Sequence, residues 1–173
     1  MRIRQRFHRE DGAAAVEFAL IIGVLAMLIF GMLQFGLTFF ELQNLRAATR
    51  EGGRIGAVGA TPDAIRTRLE QASNGAVGPG EASLAGFTKV TFSPSGTFTE
   101  ASSSTNLTGN TTPACTAPPA TNTTNAAVRV QMDLTAAPTH LQNLFTLNIP
   151  LLPTITMRPT IDAQFRCEGV KTT

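Results

Sequence analysis

Few residues in this chain are equipped for chemistry, and they are scattered. The soft donors and nucleophiles are His8, His140, Cys115 and Cys167. Two thiols without histidines beside them are too few for a zinc cage. His140 has no carboxylate or nucleophile in motif context, no glycine-rich phosphate loop precedes a helix, and no metal-ligand spacing occurs. The expectation is a protein that is not an enzyme and carries no cofactor, with His140 a loop residue between Pro138 and Leu141. A different side chain stands out. Glu17 is the single charge between Ala13 and Phe40, a stretch of 28 residues whose other polar groups are chiefly Gln34 and Thr38.

The element that must position Glu17 is a membrane helix. Phe18 to Phe40 supplies 23 residues, about 34 Å of helix, enough to cross a roughly 30 Å hydrocarbon core. The reading is a transmembrane helix over 13–40, with a buried soluble helix as the alternative. A charged side chain costs about 2.5–3.5 kcal/mol at the centre of such a span and less near its end, so Glu17 needs a partner or a route to headgroup water. Ala15, Ala19 and Gly23 recur every four residues, the spacing of small residues that lets membrane helices approach closely. With no Trp or Tyr in the chain, an interfacial aromatic belt gives no signal.

Charge and length set the topology. Residues 1–12 hold Arg2, Arg4, Arg6 and Arg9 against Glu10 and Asp11, which accounts for the whole formal net charge of +2. The remainder is balanced, so a basic nucleic-acid-binding domain is excluded. The arginine excess keeps the head in the cytoplasm and puts everything after Phe40 outside. A secretory signal peptide would have a shorter apolar run ending at a small-residue cleavage site. Mean hydropathy is a mild +0.08 although 43% of residues are hydrophobic, because the apolar material is concentrated in this one segment.

The string DGAAAVEFALIIGVLAMLIFGMLQFG, residues 11–36, resembles a type IV prepilin leader: a short basic head, Gly12, then an apolar stretch whose fifth residue, Glu17, is followed by Phe18. Further on, ELQNLRAATREGGRIGAV, residues 41–58, resembles the continuation in TadE-like proteins of tight-adherence (Tad) pilus systems, through Ala47, Ala48, Arg50, Glu51, Gly52 and Arg54. The resemblance implies cleavage after Gly12 by a membrane-embedded prepilin peptidase, leaving Ala13 as the new N-terminus. It implies other pilins, a pilus assembly platform and membrane lipid as further partners, with no nucleic acid. Many relatives carry an early proline where Gly23 stands here, so the kink expected from that proline is not carried over. The physical chemistry agrees with the resemblance. A new ammonium on Ala13 lies four residues from Glu17, within reach on a helix, and in an assembly the carboxylate can meet a neighbouring subunit's amine, so that neither buried charge stays unpaired.

Residues 41–173 form the extracytoplasmic domain. The helix continues past Phe40 with Leu42, Leu45, Ala48 and Thr49 at helical spacing, weakens at Gly52 and Gly53, and ends at Gly56 and Gly59. Arg46, Arg50, Glu51 and Arg54 read as a solvated face, with contact to family partners as the alternative. Thr61-Pro62-Asp63 starts a short helix running to about Ser73. Alternation predicts antiparallel strands at 87–92, 128–134 and 154–157 leading on to 161–165. Residues 93–126 form a Thr/Ser/Asn-rich loop with too little apolar surface to offset ordering; its three glycosylation-like triplets, beginning at Asn106, Asn110 and Asn122, read as chance matches. Outside the cytoplasm Cys115 and Cys167 form a disulfide, closing a loop of about 50 residues for a stabilisation of about 4 kcal/mol; two free thiols are the alternative.

The fold expected is α+β and pilin-like: one long N-terminal helix, half in the membrane, with a short helix and a small antiparallel sheet. The function expected is a minor pilin or pseudopilin in the cytoplasmic membrane, single-pass and open to incorporation in an extracellular pilus. The alternative is an uncleaved membrane-anchored adaptor that displays a binding domain.

Overall fold

The computed structural model describes residues 9–98, 105–106, 113, 115, 126–147 and 153–168, with the backbone alone at 9–11 and 105–106. Arg2, Arg4 and Arg6, the triplets at Asn110 and Asn122, and most of the Thr-rich loop lie outside the described residues.

A single helix, α1, runs from Arg9 to Ala57, 49 residues or about 73 Å. No proline interrupts it. Its first half is apolar on every side and its second half is apolar on one stripe, formed by Leu45, Ala48, Thr49, Gly52, Gly53 and Gly56, all buried. The helix ends at Ala57, between Gly56 and Gly59, the two glycines expected to end it, and Gly59 just beyond has a φ of +92° that suits a residue without Cβ. The Gly59 amide donates to the Gly56 carbonyl and the Ala60 amide to the Ile55 carbonyl, both at 3.1 Å, a Schellman closure.

Helix α2 spans Pro62–Ala72 as the capping signal requires, with the Thr61 hydroxyl accepting from the Ala64 amide at 3.3 Å. It buries Pro62, Ile65 and Leu69. A 3₁₀ turn, Glu81–Ser83, follows. Strands β1 (Thr88–Ser93), β2 (Thr105–Asn106), β3 (Ala127–Asp133) and β6 (Thr160–Arg166) form an antiparallel sheet in the order β2-β1-β3-β6. The register aligns Val90, Val130 and Ala163 in one row, and Thr88, Met132 and Ile161 in the next. These rows face α1 and α2 and are buried, whereas Lys89, Asp162 and Gln164 point to the opposite, open side. The core is therefore one layer thick, between two helices and one sheet face.

Several expectations need correction. Residues 154–157 and 161–165 do not form one continuous sheet element. The first contributes β5 (Ile155–Thr156), which pairs with β4 (Thr146–Leu147) in a separate two-stranded sheet, and the second is β6. The loop from residue 93 is interrupted, since Ser93 closes β1 and β2 lies inside it. His140 is not in a loop. It belongs to a six-residue helix, α3 (Thr139–Leu144), entered through Pro138.

Candidate functional site

The most unusual surface is the first half of α1. Between Gly12 and Phe40, Thr38 is the one buried residue, and large apolar side chains stand open, among them Phe18 at 64%, Leu20 at 69%, Phe30 at 70% and Met32 at 74% exposure. In water such a rod would carry a continuous apolar patch far beyond what soluble monomers expose. This is the one helix among the described residues long and apolar enough to cross a membrane, and its apolar window is not buried inside the fold.

Along this shaft the residues singled out in the sequence have definite places. Gly12 and Ala13 are both helical, so the bond between them lies inside α1. Glu17 is exposed one turn after Ala13, with Phe18 beside it; no ion pair engages it among the described residues. Ala15, Ala19 and Gly23 follow one another at four-residue spacing, all exposed. A methyl group added at Gly23 would meet nothing within 4 Å, so this face is open along its length.

The shaft is joined to the head at two levels. At the lower one, the buried Thr38 hydroxyl lies 2.9 Å from the Gln34 carbonyl and 3.1 Å from the Leu144 carbonyl at the end of α3. At the upper one, Glu51 works as a clamp. Its Oε1 accepts from Arg54 at 2.9 Å and from Arg68 of α2 at 3.0 Å, and these two guanidiniums, Arg54 first, hold its carboxyl down to a pKa of about 2. Gly52 and Gly53 make room on either side. A Cβ at Gly52 would come within 3.0 Å of Leu69, and one at Gly53 within 2.6 Å of the Phe165 ring. The three residues Glu51-Gly52-Gly53 thus fasten α1 to α2 and to β6 at once.

A disulfide joins Cys115 to Cys167, with Cα atoms 5.8 Å apart. Cys115 is buried in the core cluster. Cys167 follows β6, where its amide donates to the Ala126 carbonyl at 2.8 Å, and the next amide, Glu168, donates to the Ala57 carbonyl at 3.0 Å. The bond therefore ties the Thr-rich excursion to the sheet edge and to the end of α1. Among the described residues no three His, Cys, Asp or Glu side chains are grouped to hold a metal ion. His140 bridges elements, its Nε2 lying 3.1 Å from the Ala76 carbonyl and its Nδ1 3.6 Å from Glu81.

The shaft and the α1 side of the upper joint, Glu51 to Arg54, lie in one stretch of sequence. Residues 12–54 match the family model described as TadE-like protein. The TadE-like stretch opens at Gly12 and closes at Arg54, so it contains the whole shaft and the α1 side of the clamp, Glu51 and Arg54, and stops short of Arg68 on α2 and of the sheet. The resemblance to TadE-like proteins holds over those residues, about a quarter of the chain. No curated protein and no solved structure matches the chain.

Some features of the TadE-like stretch escaped sequence reasoning. The Glu51–Arg68 bridge spans 17 residues, and nothing local in the sequence marks it. Thr38 carried a signal in hindsight, as a polar side chain near the end of an apolar run. Arg46 and Arg50, set one turn apart, line a cleft with Pro159, Thr160, Ile161 and Asp162 of the β6 edge; spacing alone does not distinguish that from a solvated face.

Proposed function

We propose that this chain is a minor pilin or pseudopilin of a Tad-type pilus, a structural or initiating subunit and not an enzyme. It is made as a precursor, held in the cytoplasmic membrane by α1 with its N-terminus inside, and cut by prepilin peptidase between Gly12 and Ala13. The observation that carries this reading is the bare apolar shaft continuous with a clamped α+β head, within a stretch that matches TadE-like proteins. The contact of Thr38 with Leu144 supports an outer membrane boundary near residue 38. Twenty residues further back, about 30 Å of helix, comes Phe18. Glu17 then sits at the inner edge of the hydrocarbon, where a carboxylate is tolerated before cleavage and can meet an ammonium after it.

The deciding experiment is N-terminal sequencing of the membrane-extracted protein from cells with and without the peptidase. The expected result is a chain beginning at Ala13 that reverts to Met1 when the peptidase is absent. A chain that begins at Met1 in both strains overturns the proposal. It would support the second reading, an uncleaved adaptor, which is favoured by one observation: the Gly12–Ala13 bond is helical, so a protease must unwind it first. For assembly, Glu17→Ala is expected to abolish co-purification with other pilins. Bulky residues at Ala19 and Gly23 are expected to weaken cross-linking to them.

A further inference from the structure

The cleft between α1 and the β6 edge has a volume of about 220 Å³ and is lined by Arg46, Arg50, Pro159, Thr160, Ile161 and Asp162. Among the described residues neither Arg46 nor Arg50 is held in an ion pair, although Glu51 beside them takes two. Asp162 borders the cleft, but its side chain lies on the open face of the sheet, where Arg129 engages it at 3.3 Å. Glu41, the acid nearest below on α1, stands five residues before Arg46, on another side of the helix, and accepts from Asn44 at 3.4 Å. Two cations one turn apart, neither held in an ion pair among the described residues, make a site for an anion that carries several oxygens.

Height along α1 identifies the anion. Arg46 and Arg50 lie eight and twelve residues beyond Thr38, about 12 and 18 Å along the axis. The polar headgroup layer extends about 5–7 Å beyond the hydrocarbon on each side. Side chains on a helix lean toward its N-terminus, which here is the membrane side. The Arg46 guanidinium is thereby brought down to headgroup level with Arg50 behind it, as cationic side chains near a span are when they reach for the interface. β6 runs alongside in the same direction as α1, since Gly53 meets Phe165 while Arg46 and Arg50 meet residues 159–162. The Pro159 end of the cleft therefore faces the membrane too.

We infer that the Arg46–Arg50 cleft takes the phosphate of an anionic phospholipid headgroup from the leaflet on which the domain sits. This rests on the membrane-spanning reading of α1.

The test places the full-length chain in nanodiscs of phosphatidylcholine doped with phosphatidylglycerol and reads retained lipid by native mass spectrometry. Phosphatidylglycerol adducts are expected to be enriched over phosphatidylcholine. Arg46→Gln with Arg50→Gln is expected to lower that enrichment at least about fivefold, as interfacial arginines on anionic lipid should. The charge-matched control Arg66→Gln with Lys89→Gln is expected to retain it, and added salt to reduce it in the parent. Equal enrichment in the cleft variant and the parent overturns the inference, as does a parent with no headgroup preference. A cleft variant that keeps its lipid but loses cross-links to a neighbouring pilin in cells also overturns it, and makes the cleft a protein contact. A chain that does not enter the discs at all refutes the spanning reading of α1, a separate and recognisable result.

Discussion

Glu51 concentrates more of this molecule's organisation than any other charged side chain, and its chemistry yields a pH dependence. Its carboxyl is held from an ordinary 4.5 down to about 2 by Arg54 and Arg68, so between those values the unfolded chain binds the proton that the folded one refuses. Stability is fully present above pH 4.5 and is lost as pH falls through about 2. Denaturant unfolding across that range is expected to show this slope, and Glu51→Gln is expected to flatten it. Gly53 makes a second residue-scale prediction. Gly53→Ala would push a methyl into the Phe165 ring and is expected to destabilise by about 1–3 kcal/mol, measured by thermal unfolding in detergent. At Gly36, where nothing lies within 4 Å, the same change is expected to be neutral or mildly stabilising because alanine favours helix.

At the scale of elements, the disulfide is the feature whose removal has the largest expected effect. It closes a loop of 52 residues; Cys115→Ser with Cys167→Ser is expected to cost about 4 kcal/mol by the chain-entropy account, readable as a shift in the denaturation midpoint. Legibility at this scale depended on length and on partners. The helix start at Thr61-Pro62-Asp63 and the alternation of β1, β3 and β6 were visible because each carries its own local signal. The two-residue strands β2 and β4 and the six-residue α3 were not, since so few residues cannot establish a period; β5 lay within the strand expected at 154–157, but its pairing with β4 was not visible. The glycines of α1 show why the rest was hidden. Gly52, Gly53 and Gly56 looked like helix breakers, yet each stands where Leu69, Phe165 or Ile65 comes within about 3 Å of an added Cβ, and tertiary packing overrides propensity. Within the candidate site, Gly12, Glu17 and the disulfide pair could be named from the sequence, whereas the clamp partner Arg68 and the Thr38–Leu144 contact required the fold.

For the whole molecule, the proposed membrane boundary at Thr38 is open to test. Single cysteines introduced at Leu25 and Gln43 give a direct check with a membrane-impermeant thiol reagent in spheroplasts. Gln43→Cys is expected to react from outside, while Leu25→Cys stays protected until the membrane is dissolved. Reaction at both positions with equal speed would mean that the shaft is not in lipid. Because one unbroken rod of 49 residues serves as both anchor and spine, no swivel separates the head from its stem. A tilt or twist imposed on the buried part is then delivered undiminished to the Glu51–Gly53 joint, and a sideways load on the head acts back on the stem as on the short arm of a lever. On the proposed membrane-spanning reading, orientation of the displayed surface is governed from within the bilayer.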